Sequence, residues 1–131
     1  MGRALGVDFG RKRVGLAISD SRRKIALPHA VVKRQKFMEE VEKLIREKGV
    51  DTVVFGLPIS LSGKELEMAD EIRKVARIVK ERFGVKVILK DERFTSKLVE
   101  ERFGRDGPID HYSAGIILQE YLDFGTGQEV K

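Results

Sequence analysis

The segment Ala4-Leu5-Gly6-Val7-Asp8-Phe9-Gly10 decides the fold prediction, because it places one carboxylate inside an otherwise apolar strand. A carboxylate in such a strand is costly unless it is hydrogen-bonded, paired with a cation or bound to a metal. Asp8 could simply cap the turn at Gly10, or it could be a functional residue. The glycines on either side, Gly6 and Gly10, favour the second interpretation, because they leave room for a ligand to approach the backbone closely.

The residues that follow this segment predict an antiparallel meander. Arg13–Ser19 alternates, with Val14, Leu16 and Ile18 on one face, and Ile25–Val32 is a third β-rich run. The two links between these runs are short, turn-like and basic, as in hairpins. Pro28 cannot donate to a strand ladder, so the third strand is predicted to lie at an edge of the sheet.

The rest of the chain alternates helical patterns with buried-type strands. The predicted elements are helices over Lys36–Lys48, Glu65–Phe83, Ser96–Phe103 and Asp110–Leu122, and strands over Asp51–Gly56 and Val85–Leu89. This order predicts an α/β fold with a mixed five-stranded sheet, made of an antiparallel three-strand meander plus two parallel strands, and helices on both faces. We expect one domain over residues 1–124 and a frayed polar tail over 125–131.

Two further acidic residues are expected at the same edge of the sheet as Asp8. Parallel strands share the edge where their carboxyl ends meet, and ligands of open α/β sheets bind there. The fifth strand runs into Asp91 and Glu92, and the spacing leaves open which of the two points into the site. Asp110 opens the last helix, where an aspartate is most often an N-cap. The last helix has small residues at Ser113–Gly115, which would let it pack closely on the sheet and bring Asp110 toward the strand ends.

Three carboxylates held close together raise one another's pKa and repel, unless a cation compensates them. Hard divalent cations bind a few carboxylates together with water and phosphate oxygens. Two such ions about 3.5–4 Å apart stabilise the attacking and leaving oxygens of an in-line phosphoryl displacement. The sequence therefore predicts a site for two Mg²⁺ or Mn²⁺ ions that is suited to phosphodiester hydrolysis. Its catalytic and metal-binding residues would be Asp8, Asp110 and one of the pair Asp91 and Glu92.

Composition agrees with a polyanionic partner. The 131 residues carry a formal net charge of +5, and the pI is about 9.6. The candidates for contacts to a phosphate backbone are Arg11, Arg13, Lys64 and Arg93. The absence of cysteine excludes disulfides, thiolate metal sites and a cysteine nucleophile. No apolar run approaches the ~18 residues of a membrane span, and no signal peptide is recognisable, so a cytoplasmic protein with no membrane partner is expected.

The loop over Leu57–Lys64 is not a nucleotide phosphate loop. The Walker pattern needs glycine at position 58 and serine or threonine at position 65, where this chain has Pro58 and Glu65. Two interpretations remain open. The loop could hold a substrate phosphate before a helix N-terminus, through Ser60, Ser62 and backbone N–H groups, or it could be a plain connection.

Four sequence motifs in the same order resemble the YqgF family, also called RuvX, across nearly the whole chain. The motifs are Leu5-Gly-Val-Asp-Phe-Gly with Val14-Gly-Leu-Ala, Phe55-Gly-Leu-Pro, Asp91-Glu-Arg-Phe-Thr-Ser, and Ile109-Asp with Ser113-Ala and Ile116-Ile-Leu-Gln-Glu-Tyr. The resemblance implies a ribonuclease H-like fold and trimming of the 5′ end of pre-16S ribosomal RNA. It also places the family's acidic positions on Asp8, Glu92 and Asp110, and so selects Glu92 over Asp91.

The chain departs from the family pattern at two places. The family's longer basic and glycine-rich loop before the last aspartate is here only Gly104–Pro108, and its Met-Asp-Gly is here Leu61-Ser62-Gly63. Both departures affect the expected substrate contacts more than the acidic residues.

Three other functions remain open from sequence. The first is a Holliday junction resolvase with the same acids, which would have to be a homodimer with two active centres. The second is a non-catalytic module that binds nucleic acid. The third, a relative of the actin-like ATPases, is disfavoured because those proteins need two such domains. Structured RNA is the expected substrate, and the oligomeric state is open between monomer and homodimer.

Overall fold

The computed structural model describes residues 2–58, 63–92 and 109–131, except for the side chains of 63–66 and 109–112. The strands are β1 (Arg3–Phe9), β2 (Arg13–Ser19), β3 (Ala26–Lys33), β4 (Val50–Pro58), β5 (Lys86–Glu92) and β6 (Gln128–Glu129). The helices are α1 (Phe37–Lys48), preceded by a 3₁₀ turn at Arg34–Lys36, α2 (Gly63–Phe83) and α3 (Ile109–Phe124). The helix predicted over Ser96–Phe103 lies outside the described residues.

The strands form one mixed sheet in the order β3-β2-β1-β4-β5-β6. β1 pairs antiparallel with β2, and β2 antiparallel with β3, while β4 lies parallel to both β1 and β5. This confirms the predicted meander followed by two parallel strands. It also confirms that the strand containing Pro28 lies at an edge.

The carboxyl-terminal residues correct the expectation of a frayed tail, because they add a sixth strand to the sheet. β6 pairs antiparallel with β5, and the Val130 N–H donates to the Val87 carbonyl at 2.9 Å. Positive φ angles at Gly125 (64°) and Gly127 (140°) let the chain turn back after α3. Val130 is only 8% exposed, so a single apolar residue anchors an otherwise polar segment.

Helices cover both faces of the sheet, as predicted. In β1, Leu5, Val7 and Phe9 belong to the core under α1 and α2, whereas Ala4 belongs to the smaller core under α3. This is the alternation of a strand whose two faces are both covered. No helix in the described part of the chain is both long enough and apolar enough to cross a membrane.

Candidate active site

Asp8 lies near the carboxyl end of β1, on the face that α3 covers. It follows Ala4 and Gly6 at alternate positions, and Gly6 is in close contact with α3. Its partner on β2 is Gly15, and the register that pairs Val7 with Phe55 brings Gly56 beside it on β4. The half-buried Asp8 therefore has a glycine beside it on each neighbouring strand. The side chain of Ile117 from α3 fills the space over Gly56.

The structure separates Asp91 from Glu92 by the face each occupies on β5. Ile88 packs in the core under α3, and Lys90 forms an ion pair of 3.1 Å with Glu120 of α3. By alternation Glu92 shares this face, while Asp91 points to the other face and is exposed.

Gly56 brings Glu92 close to Asp8. A Cβ built on Gly56 would stand 3.3 Å from Cγ of Glu92, so the stem of this glutamate lies against the glycine. Gly56 is also the neighbour of Asp8 on β4. Asp8 thus lies beside Gly56 in the strand register and the stem of Glu92 packs on the same glycine, while the Oε1 atom of Glu92 is shielded from solvent.

Helix α3 directs its N-terminus toward these two residues. It crosses the sheet antiparallel to β1, with Ala114 and Leu118 over Gly6, while Gln119 accepts a hydrogen bond of 2.9 Å from the Ala26 N–H at the far end. Asp110 is the second residue of α3, and its backbone lies about 6 Å along the helix before Ala114. Asp8 lies a similar distance beyond Gly6, roughly 6.6 Å.

The backbone of α3 thus reaches the level of Asp8 at its second residue. The side chain of Asp110 is outside the described part of the structure. Among the side chains that are described, which do not include that of Asp110, no three histidine, cysteine or acidic residues cluster closely enough to hold a metal ion. Asp8 and Glu92 provide only oxygen ligands beside two glycines, and this donor set fits a hard divalent cation.

The predicted basic residues fall into two groups. Arg11 and Arg13 are exposed in the β1–β2 turn, which a 2.9 Å hydrogen bond from the Gly10 N–H to the Arg13 carbonyl closes. Lys64 is the second residue of α2, but its side chain is not described, and Arg93 lies outside the described residues.

Arg11 and Arg13 border a concavity of about 760 Å³ that the sequence did not reveal. Its other lining residues are Lys12, Lys33, Arg34 and Gln35. Lys33 is the cross-strand partner of Arg13. A correct prediction of the β2–β3 register would therefore have placed Lys33 beside Arg13. The third strand was predicted to end at Val32, one residue too early for that pairing.

Solved structures with a similar fold include "T. thermophilus RuvC in complex with Holliday junction substrate". The TM-score is 0.65, and the match covers 99% of this chain and 100% of that one at 12% sequence identity. At this identity the likeness concerns the fold alone, and it agrees with the expected ribonuclease H-like architecture. The class is therefore defined by fold alone, as proteins with a RuvC-like fold.

Sequence comparison identifies the family within this class. The RuvX family, described as Holliday junction resolvase, matches residues 2–124. A protein of Anaplasma marginale is 36% identical over 98% of this chain and 88% of its own length. One of Rubrobacter xylanophilus is 37% identical over 96% of both chains. Both carry the name "Putative pre-16S rRNA nuclease". The chain belongs to the RuvX family, also called YqgF.

Proposed function

We propose that this protein is a metal-dependent nuclease that hydrolyses phosphodiesters of structured RNA and trims the 5′ end of pre-16S ribosomal RNA in the cytoplasm. One observation carries the proposal. Asp8 and Glu92 face the same side of the sheet at its carboxyl edge, both bordering Gly56, while Asp91 faces away. Two acids gathered beside glycines, at the edge where α/β sheets bind ligands, are suited to a metal-assisted reaction on an anionic substrate.

Asp8, Glu92 and Asp110 would hold the divalent cations, for which we propose two Mg²⁺ or Mn²⁺ ions. When bound, such ions lower the pKa of a water molecule and neutralise charge at the phosphate. Asp8 and Glu92 supply the fixed negative charge that attracts and orients the cations. Gly15 and Gly56 place no side chain of their own beside Asp8, and the side chains over Gly56 are those of Ile117 and Glu92.

The basic residues around the acids would position the substrate. Arg11 and Arg13 project from the turn that follows Asp8, and Lys64 and Arg93 follow β4 and β5 in the chain. Contacts of this kind go to phosphates, so they fix the position of the backbone without reading its sequence. Structured RNA is therefore bound by shape and charge, which is how proteins commonly recognise A-form helices.

The names of the relatives support the choice of RNA. Two of them, which this chain matches over 88% and 96% of their lengths, are named for pre-16S rRNA. The second candidate, a resolvase of four-way DNA junctions, is supported by the description of the family. A resolvase cuts two strands at one junction, so it requires two active centres and hence a homodimer.

A cleavage panel tests the proposal. Pre-16S rRNA, single-stranded RNA, single-stranded DNA and a four-way DNA junction are incubated with the protein and Mg²⁺ or Mn²⁺. The wild type is expected to cut the rRNA precursor near the mature 5′ end, and Asp8→Asn is expected to bind it without cutting. Equal cutting by both proteins would mean that Asp8 is not catalytic. Symmetric cutting of the junction by a dimer would favour the resolvase, and binding without turnover under any metal would favour a non-catalytic module.

A further inference from the structure

The concavity beside the β1–β2 turn is strongly basic. Five of its six lining residues are cationic, and none is acidic: Arg11, Lys12, Arg13, Lys33, Arg34 and Gln35. Arg11, Lys12, Arg13 and Lys33 are exposed, and within the described part of the chain none of these four forms an ion pair. Their positive charge is therefore available to a partner.

Two of these cations face each other directly across the hairpin. Arg13 of β2 and Lys33 of β3 are Cα partners, so their like charges are held at cross-strand distance. Like charges directly opposite each other destabilise a pair of strands. A polyanion placed between them would remove this repulsion, so the position is better suited to binding than to stability.

Arg34 differs from the other four, because its interactions are internal. Its guanidinium lies 4.6 Å from the centre of the Phe9 ring, and it is ion-paired with Glu71 of α2. Its backbone N–H donates to the Lys12 carbonyl at 3.1 Å. Arg34 thus holds the chain after β3 against Phe9 and α2, on the opposite face of the sheet from Asp8. Of the lining residues on the strands, Arg13 and Lys33 are the ones on the face of the acid.

The acids and the cations form one row along the carboxyl edge of the sheet. On the α3 face, Arg13 lies two residues beyond Gly15, the partner of Asp8, and Glu92 lies opposite Pro58. The strand order then places Glu92 at one end, Asp8 between, and Arg13 and Lys33 at the other end. β4, whose Gly56 lies between the two acids, and β3 are three strand spacings apart, roughly 14 Å. At about 3.4 Å per nucleotide of a duplex strand, this distance corresponds to roughly four nucleotides.

We infer that the basic concavity is a cradle for the phosphates of the substrate strand on one side of the scissile bond, with Lys12 and Lys33 as binding residues. The inference deepens the proposed function and rests on it. The enzyme then needs about four nucleotides of backbone on that side, by the spacing just given. The cradle does not contact nucleotides on the other side of the scissile bond, so it sets no minimum length there.

Binding can be measured apart from cleavage in an Asp8→Asn background. Fluorescence anisotropy with a labelled pre-16S 5′ fragment, over a range of KCl concentrations, gives the slope of log K against log salt. We expect Lys12→Gln/Lys33→Gln to reduce this slope by about two, because each lost phosphate contact removes about one released counterion. The matched control is Lys24→Gln/Lys43→Gln, which removes the same charge from exposed lysines in the β2–β3 turn and on α1. Equal slopes in the two double variants would overturn the cradle.

A length series tests the one-sided arrangement. Once the wild-type cut is mapped, substrates are shortened on one flank at a time. We expect the difference in cleavage between wild type and Lys12→Gln/Lys33→Gln to disappear when one flank falls below about four nucleotides, and to persist when the other flank is shortened. Equal sensitivity to both flanks would contradict the inference.

The two proposals fail in different ways. If no substrate is cut but the lysine variants still lower the salt slope, the nuclease assignment fails and the cradle stands. If cutting depends on Asp8 while the lysine variants bind like the control pair, the cradle fails and the nuclease stands.

Discussion

Gly6 of β1 lies directly under Ala114 of α3: a Cβ built on Gly6 would stand 2.7 Å from the Ala114 carbonyl oxygen. The same Cβ would stand 2.7 Å from Cβ of Leu118, one turn further along the helix. Gly6 therefore sets the distance between the strand that carries Asp8 and the helix that carries Asp110. Close packing at this one position controls how near the two acids can come.

Gly6→Ala is expected to lower the free energy of unfolding by about 1–3 kcal/mol, because backbone atoms must move to admit the new methyl group. Nuclease activity should fall as well, since α3 is displaced from β1. The control is Gly115→Ala on α3, where an added Cβ meets no atom within 4 Å. It should stabilise the protein by about 0.5–1 kcal/mol, as alanine does in a helix. Urea unfolding that shows Gly6→Ala as stable as wild type would refute this packing argument.

Ser19→Ala tests a buried hydrogen bond at the other end of β1. The Ser19 hydroxyl, 1% exposed, accepts from the Ala4 N–H at 2.8 Å and donates to the Asp20 carbonyl at 2.9 Å. Removing it leaves the Ala4 N–H without this acceptor, at a cost of about 1–3 kcal/mol. Ser21→Ala, at an exposed position two residues on, should change stability by less than about 0.5 kcal/mol. Faster hydrogen exchange of the Ala4 amide in Ser19→Ala but not in Ser21→Ala would support the assignment, and equal stabilities would contradict it.

Asp20 gives the β2–β3 turn a dependence on pH. Hydrogen bonds from the backbone N–H groups of Ile25 and Lys24 hold the pKa of Asp20 below its ordinary value. Since the folded pKa is lower than the unfolded one, the stabilisation is complete above the unfolded pKa and is lost as the pH falls through the folded pKa. An NMR titration of the Asp20 carboxyl carbon should show a midpoint below the ordinary aspartate value. A midpoint at the ordinary aspartate value would show that the turn does not hold these bonds.

Val130→Ala tests whether the last strand is anchored by its one apolar residue. The Val130 side chain is 8% exposed, whereas Glu129 beside it is exposed. Loss of about two buried methylene equivalents should cost roughly 1.5 kcal/mol. Glu129→Ala should be neutral within about 0.5 kcal/mol. Thermal unfolding of the two variants provides the comparison, and equal midpoints would mean that β6 contributes nothing to stability.

The sequence predicted the meander, the edge strand and the parallel pair, because apolar alternation and Pro28 are local signals. It could not choose between Asp91 and Glu92, since the fifth strand was predicted to end at Leu89. The strand continues to Glu92, and alternation from Ile88 then determines the face of each acid. β6 was missed because only Val130 marks it in a polar segment.

Lys33 was missed for a related reason. Its pairing with Arg13 depends on the register of the β2–β3 hairpin, in which an irregularity occurs between Leu16 and Ala17. Such a shift changes which residues face each other, and it leaves no mark in composition or periodicity. Long-range register, more than element type, therefore limited the prediction of the basic concavity.

The most direct test of the acidic site compares two neighbouring carboxylates. Glu92→Gln and Asp91→Asn each remove one negative charge from the end of β5, but only Glu92 faces the side of Asp8. In Mg²⁺-dependent cleavage of pre-16S rRNA, Glu92→Gln should lower kcat by at least about 100-fold, roughly 2.7 kcal/mol of transition-state stabilisation, while Asp91→Asn should stay within about threefold of wild type. Equal losses in the two variants, or full activity in Glu92→Gln, would contradict a catalytic site built on Asp8 and Glu92.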